Sequence, residues 1–210
     1  PGWGGFALET NLVRWVDLGL LTEPHMYRTA GVAFDPDGLL STLTATATTL
    51  LGFFTGEILR GGRPLASKLR IMAVAGVVLT IAGYGLGRVE PINKQLWTAS
   101  YVVVTGGWAM LTLAACSWMI DVRGWTSGVR PAVVYGSNPL VVFLGSGLLV
   151  RILLLVKVPA DEAPRSLGRA LYLGLFEPAA GPVWGSFFYA VVHVVLWLAI
   201  SWWLLSRRIL

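Results

Sequence analysis

The stretch Phe34–Leu59, FDPDGLLSTLTATATTLLGFFTGEIL, decides the fold because it contains an apolar run long enough to cross a membrane. A membrane-spanning helix needs about 20 mostly apolar residues, and the run after Gly38 has that length. The stretch nevertheless begins with Asp35 and Asp37 and is rich in threonine. Because polar groups are costly in a bilayer, we expect them to face protein or a cavity.

The composition of the whole chain is that of a membrane protein. Of its 210 residues, 55% are hydrophobic and 13% are charged, and the mean hydropathy is +0.69. A soluble domain has about 45–50% apolar residues. The net charge of +5 does not require a nucleic acid partner, because basic loops beside anionic lipid account for it.

Five apolar stretches meet or approach the length of a membrane span, so we expect an all-α polytopic protein with about five transmembrane helices. The stretches are residues 38–59, 69–87, 96–120, 132–156 and 183–205. The basic loop LRGGRPLASKLR (59–70) is placed in the cytoplasm. Residues 1–37 then form an outer segment, and residues 38–210 form a five-helix domain with an outer loop at 157–182.

Two extramembrane segments have helical spacing of apolar and charged residues, NLVRWVDLGLL (11–21) and APRSLGRALYLGLF (163–176). We expect one or both to lie flat on the outer interface as amphipathic helices. Arg14 and Asp17, or Arg165 and Arg169, would then face water.

On a helix, residues 39–56 separate into a small polar face and a large apolar face. The small face carries the threonines together with Gly52 and Gly56, so we expect it to pack closely against another helix. Its hydroxyls would bond helix carbonyls or line a polar cavity. Asp37 can cap this helix, whereas Asp35 and Asp37 together would stand at its outer mouth.

Two further segments supply polar residues at the edge of the membrane. VEPINKQLWTASYV (89–102) contains Asn93, Lys94, Trp97, Ser100 and Tyr101, and its turn lies on the same outer side as DPDG. The alternative for these residues is an interfacial anchor. In VYGSNPLVVF (134–143), Asn138 is a helix cap before Pro139, and its amide would face the protein interior.

The sequence contains two histidines, the side chains that titrate near neutral pH. His25 lies in the outer segment and reads as a surface residue. His193 lies inside the last span, where a hydrogen bond to a neighbouring helix is the plainer interpretation. No metal-binding, nucleophile-elbow or phosphate-loop motif occurs, so we expect no metal and no catalytic centre in this chain alone.

Four motifs, FDPDGLLST, PINKQLWTASYV, IDVRGW and YGSNPLVVF, together with the preceding HMYR, resemble the C-terminal half of the heparan-alpha-glucosaminide N-acetyltransferase family and its bacterial relatives. The resemblance implies a transmembrane acyltransferase with acetyl-CoA as donor, a sugar or glycan as acceptor, and a bacterial inner-membrane location. It also implies a substrate-binding role for the predicted site residues. These are Asp35, Asp37, Asn93, Lys94, Trp97, Ser100, Tyr101 and Asn138.

The resemblance further implies that the family's catalytic histidine belongs to an N-terminal half that this chain lacks, so the chain reads as an inactive fragment. Its expected partners are that missing half, the lipid bilayer, the acceptor and a second copy in a homodimer. The alternative from the residues alone is a segment of a transporter or flippase, since polar groups inside spans also mark transport paths. A non-catalytic membrane protein is the third interpretation.

Overall fold

Helices make up most of the protein, in keeping with its apolar sequence. The computed structural model describes residues 5–29, 31–160 and 163–209. The chain forms two compact units, Pro1–Trp125 and Thr126–Leu210.

The first unit consists of one short helix, a small β-hairpin and three long helices. Its elements are α1 (Leu12–Leu21), a 3₁₀ turn (Glu23–His25), β1 (Arg28–Thr29), β2 (Val32–Ala33), α2 (Leu39–Arg60), α3 (Leu65–Leu86) and α4 (Ala99–Ser117), which continues into a π turn (Trp118–Val122). Strands β1 and β2 pair antiparallel, with Arg28 opposite Ala33. This hairpin was not predicted, because two-residue strands leave no periodic signal.

Glycines allow α3 and α4 to approach closely. A Cβ at Gly83 would lie 2.6 Å from the backbone nitrogen of Val104, and one at Gly107 would lie 2.6 Å from that of Thr80. Small residues permit such backbone contact between membrane helices. Close helix packing in this unit is therefore concentrated between α3 and α4.

The expected close packing at Gly52 and Gly56 of α2 is wrong, because a Cβ at either position would meet nothing within 4 Å. The threonine hydroxyls instead bond to the preceding turn of their own helix. Thr42, Thr46 and Thr55 donate to the carbonyls four residues earlier at 2.7–2.8 Å. The predicted hydrogen bonds from these hydroxyls to helix carbonyls are confirmed. The face of α2 that carries Gly52 and Gly56 has open space at both glycines.

The second unit contains a broken helix, a hairpin and a long C-terminal helix. Its elements are α5 (Arg130–Ser137), α6 (Pro139–Leu155), β3 (Lys157–Val158), β4 (Arg165–Ser166), α7 (Leu167–Leu171), a π turn (Tyr172–Phe176) and α8 (Glu177–Ser206). Strands β3 and β4 pair antiparallel. Within α8, Gly181 has a φ of 74° beside Pro182, which marks a kink.

The number of candidate spans agrees with the sequence. Among the described residues, four helices are long and apolar enough to cross a membrane, and the pair α5–α6, bent by 78°, makes a fifth if it is counted as one span. The protein is therefore an all-α integral membrane protein. The apolar stretch predicted at 132–156 is divided at Asn138, and α6 begins at Pro139, where the Asn-Pro pair predicted a helix start.

The predicted amphipathic segments are both helical, but neither matches its expected surface pattern. Helix α1 begins at Leu12 as expected, yet Asp17 on it is fully buried. The second segment forms α7 and the π turn, which run on into α8, and Arg165 lies on β4 rather than on a helix. It is therefore the start of the last long helix and not a separate interfacial helix.

Candidate functional site

The N-terminus of α2 is capped by a buried carboxylate from α1. The Oδ1 atom of Asp17 accepts hydrogen bonds from the backbone nitrogens of Leu39 at 3.0 Å and Leu40 at 3.3 Å. Free N–H groups at a helix start need such acceptors. Asp17 therefore faces α2 and not water, which corrects its expected exposure.

The second carboxylate oxygen of Asp17 has no hydrogen-bond partner among the described residues. It fills the space beside Gly38, where an added Cβ would lie 1.9 Å from it. Burial raises the pKa of Asp17 above its ordinary value, the two backbone hydrogen bonds lower it in part, and the nearby charge of Asp35 raises it. A carboxylate in this position is thus biased toward its protonated form.

The DPDG turn is organised by Asp35. Its Oδ1 atom accepts a hydrogen bond from the backbone nitrogen of Asp37 at 3.0 Å, and its carbonyl accepts one from Gly38 at 3.2 Å. Asp37 is exposed, and the helix cap residue Gly38 has no side-chain cap. The predicted capping role of Asp37 is therefore wrong, because Asp17 already occupies the first N–H groups of α2.

The loop before α4 is held by Thr98, whose hydroxyl is a hydrogen-bonding centre. It accepts from the backbone nitrogen of Asn93 at 3.1 Å, donates to the carbonyl of Pro91 at 3.0 Å and lies 3.1 Å from the hydroxyl of Ser100. Ser100 is fully buried, and its backbone nitrogen donates to a Glu90 carboxylate oxygen at 3.4 Å. The buried hydroxyls thus fix the loop that presents Trp97.

Asn93 and Lys94 occupy the surface of the same loop. The Oδ1 atom of Asn93 accepts from the backbone nitrogens of Gln95 at 2.8 Å and Leu96 at 3.4 Å, which closes the turn. Lys94 is exposed. Their substrate-binding roles stay predictions, and the positions suit contact with a ligand at the surface of this loop.

Trp97 connects this loop to α2. Its indole Nε1 donates to the Thr48 hydroxyl at 3.2 Å, and its ring packs edge-on against Tyr101 with centroids 5.6 Å apart. Its φ of 50° lies in the left-handed region, which costs a non-glycine residue about 1–3 kcal/mol. This bond joins the loop to α2 at a point six residues beyond the FDPDGLLST motif, and the predicted pocket shared by DPDG and this loop stays a prediction.

A groove of about 500 Å³ runs between α2 and α4 beneath this contact. We call it the α2–α4 groove; its lining includes Thr48, Gly52, Thr55, Trp97, Tyr101 and Thr105. A smaller cavity of about 380 Å³, the cap pocket, lies nearer the start of α2 and is lined by Leu40, Thr44, Glu90, Leu96 and Thr98, among others.

The two cavities follow one face of α2. Leu40, Thr44 and Thr48 are spaced by four residues and therefore share a face. Leu96 lines the cap pocket, while the next residue, Trp97, lines the groove. Leu96 and Trp97 are thus neighbours in the chain that line different cavities, and cavities of this size are typical of small-molecule sites.

The predicted site residues divide between the groove and its surroundings. Trp97 and Tyr101 line the α2–α4 groove. Asp35, Asp37, Asn93 and Lys94 are absent from the linings of both cavities, and Ser100 lies buried behind the loop. The capping role of Asp17 and the contact of Glu90 with Ser100 were not predicted from the sequence. For Glu90, the available signal was its position next to Pro91, just before the loop.

Asn138 and His193 belong to the second unit. Asn138 stands before α6 with Pro139 in its first turn, as expected, but its side chain makes no cap and instead donates to the Ile209 carbonyl at 2.9 Å. The Nδ1 atom of His193 lies 3.1 Å from the Tyr189 carbonyl on its own helix, so the expected bond to a neighbouring helix is replaced by a local one.

His25 is an exposed residue, as expected. Its Nδ1 atom lies 3.1 Å from the Leu21 carbonyl and 3.2 Å from the Thr22 hydroxyl. These contacts close the turn after α1, and the ring stays at the surface.

Comparison with known proteins supplies relatives but no matching family model. The chain is 28% identical over 146 residues to heparan-alpha-glucosaminide N-acetyltransferase from Homo sapiens, a match covering 62% of this chain and 22% of that protein. It is 29% identical over 151 residues to the Mus musculus protein of the same name, covering 64% and 23%. The match therefore spans less than a quarter of either relative. The resemblance indicated by the four motifs is confirmed, and this chain is a partial relative of heparan-alpha-glucosaminide N-acetyltransferase.

Proposed function

We propose that this chain is part of a membrane acyltransferase that transfers an acetyl group from acetyl-CoA to an amino sugar or glycan. The cap pocket and the α2–α4 groove are the part of the substrate cavity that the chain supplies. The observation that carries the proposal is the Trp97–Thr48 hydrogen bond, which joins the PINKQLWTASYV motif to the helix that begins in FDPDGLLST, and both residues line the α2–α4 groove.

The groove suits a ligand with both apolar and hydroxyl-bearing surfaces. Trp97 and Tyr101 contribute aromatic rings to its lining, and Thr55 and Thr105 contribute hydroxyls. The hydroxyls of Thr55 and Thr105 already donate to carbonyls of their own helices, so they retain accepting capacity toward ligand N–H or O–H groups. The chain would bind and orient an acceptor by these contacts.

The transfer itself forms an N–C or O–C bond and breaks the thioester C–S bond. A general base removes the proton from the attacking amine or hydroxyl, and the proton passes to the leaving thiolate. By the resemblance, that base is a histidine of an upstream half. We expect Glu90 in the cap pocket to orient the acceptor, because its carboxylate is held by the backbone of Ser100.

The same proposal includes the partners of the chain and the membrane in which it lies. An upstream half of a longer protein would complete the open face of α2, a sugar or glycan would be the acceptor, and a bacterial inner membrane is the proposed location. A homodimer is the remaining proposed partner. Exposed Leu43, Leu50 and Phe53 on α2 give these partners, or lipid, an apolar surface to cover.

The test replaces Trp97 in a longer protein that includes the upstream half. Trp97→Phe keeps an aromatic ring but removes the indole N–H that reaches Thr48. Because one hydrogen bond contributes about 0.5–1.5 kcal/mol, kcat/KM for transfer from radiolabelled acetyl-CoA to glucosamine should fall by about threefold to tenfold. Trp108→Phe, at an exposed site on α4, the helix that follows the loop of Trp97, is the matched control.

Equal kinetics for Trp97→Phe and the control would contradict the role of the groove. The isolated 210-residue chain should transfer no acetyl group, and turnover by it would place the base within this chain. Movement of a sugar across proteoliposomes without acetyl-CoA would favour the transporter interpretation instead.

A further inference from the structure

A further cavity, of about 520 Å³, lies in the second unit between the end of α6 and the β3–β4 hairpin. Leu154, Lys157, Arg165, Ser166 and Arg169 line it, together with Ala163 and Pro164. We call it the basic pocket, because three of the seven described residues that line it are cations. It shares no residue with the cavities of the proposed acyltransferase site.

The three cations have no charged partner among the residues that the structure describes. Lys157, Arg165 and Arg169 are exposed, and within the described residues none forms an ion pair or a side-chain hydrogen bond. None of the described residues that line the basic pocket is acidic. Like charges around one cavity repel each other, so a bound anion would relieve that repulsion.

The strands bring these cations together. Lys157 lies opposite Ser166 in the β3–β4 register, which places Lys157 beside the segment carrying Arg165 and Arg169. The hydroxyl of Ser166 accepts from the backbone nitrogen of Arg169 at 3.4 Å, fixing the start of α7. The hairpin thus joins residues that are eight to twelve positions apart in the sequence.

The chemistry of the pocket matches a phosphate group. Guanidinium groups bind phosphate oxygens through paired N–H donors, and a lysine ammonium adds a compact positive charge. We propose that the basic pocket binds a phosphate group with net negative charge, carried by an anionic lipid or by a soluble phosphate.

Its surroundings favour the lipid as the source. The pocket lies at the end of α6, on which Leu148, Ile152 and Leu155 are exposed. Arg151 is three residues before Leu154, so both lie on one side of the helix. An apolar helix surface that ends in several cations suits the acyl chains and headgroup of an anionic phospholipid.

The experiment measures lipid and phosphate binding separately with the full 210-residue chain. Native mass spectrometry of the chain in neutral detergent, titrated with phosphatidylglycerol, gives the lipid affinity. Isothermal titration calorimetry with inorganic phosphate at constant ionic strength gives the soluble-phosphate affinity. Arg165→Gln and Arg169→Gln should each weaken binding about fivefold, since one cation near a membrane surface contributes about 1 kcal/mol.

Arg207→Gln is the matched control, because Arg207 is an exposed arginine of the same unit outside the basic pocket. Weaker phosphatidylglycerol binding in the two pocket variants alone supports the lipid source, and weaker phosphate binding in those variants alone supports the soluble source. Unchanged affinity for both probes, or an equal loss in Arg207→Gln, would overturn the proposal. Thermal unfolding of each variant checks that these exposed substitutions leave the fold intact.

Removing nearby negative charges, instead of the cations, gives a second check of the proposed anion binding. Asp161 and Glu162 lie between β3 and β4 in the sequence, outside the described residues. The double substitution D161N/E162Q removes two negative charges from this segment and should strengthen binding of the same probe. A weaker affinity would contradict the proposal.

Discussion

Asp17 stabilises a membrane helix from a distance of 22 residues, and removing its carboxylate tests that role directly. The carboxylate accepts from the first N–H groups of α2 at Leu39 and Leu40, and it is fully buried. Asp17→Ala leaves both donors without this acceptor. Loss of a helix cap costs about 0.5–2 kcal/mol, and a buried donor without a partner costs about 1–3 kcal/mol.

We therefore expect Asp17→Ala to lower the free energy of unfolding by about 2 kcal/mol. For a chain of this size, 1 kcal/mol corresponds to a shift of about 2–4 °C in the midpoint of thermal unfolding, so the expected loss is about 4–8 °C. Asp37→Ala is the matched control, because Asp37 is exposed and makes no cap. It should stay within about 0.5 kcal/mol of the unmodified protein.

The assay is thermal unfolding in a single detergent, followed by circular dichroism at a pH where Asp17 of the unfolded chain is ionised. Equal midpoints for Asp17→Ala and the unmodified chain would refute the capping role. A larger loss for Asp37→Ala than for Asp17→Ala would show that the sequence-based assignment of the cap was right after all.

The pH dependence of stability gives the same residue a second readout. Burial raises the pKa of Asp17 above its ordinary value of 3.8, so the folded protein binds this proton more tightly than the unfolded chain does. Its contribution to stability is fully present below pH 3.8 and is lost as the pH rises through the raised folded pKa. Asp17→Asn, which cannot ionise, should remove this decline. A decline of equal size in Asp17→Asn would assign it to another group.

Glycine substitutions supply the remaining predictions, each checked by the same unfolding assay. Gly38→Ala should destabilise the protein by about 1–3 kcal/mol, because the added Cβ would lie 1.9 Å from Asp17 Oδ2; an unchanged midpoint would contradict this contact. Gly107→Ala should cost a similar amount, since its Cβ would lie 2.6 Å from the backbone nitrogen of Thr80. Gly52→Ala is the control for both and should be stabilising by about 0.5–1 kcal/mol, because nothing lies within 4 Å of its Cβ.

The spans could be predicted because their signal is local. A run of about 20 apolar residues defines a membrane helix wherever it occurs, and α2 was expected at 38–59 and is observed at Leu39–Arg60. The helix start at Pro139 was predicted by another local signal, the Asn-Pro pair. The end of α5 just before it was not predicted, because apolar residues continue on both sides of the break.

The partners of polar residues could not be predicted in the same way. Asp37 precedes α2 directly and fits a cap by its spacing, whereas Asp17 reaches the same N–H groups through the turn and hairpin after α1. Only the folded chain brings α1 over the start of α2. The hydrogen-bond partners of the α2 threonines could be predicted, because their acceptors lie one turn away on the same helix.

The contact between α2 and the loop before α4 depends on Trp97, a residue with a strained backbone. Trp97 adopts a left-handed backbone conformation that glycine would adopt without cost. Hydrogen bonds on both sides hold it there: the Thr98 hydroxyl anchors the loop at Asn93 and Pro91, and Thr48 accepts from the indole. A glycine in this place would relieve the strain but would remove the indole from the lining of the α2–α4 groove. Backbone strain at a residue that lines a cavity is typical of functional sites, and it makes Trp97 the residue on which the proposed substrate cavity depends most.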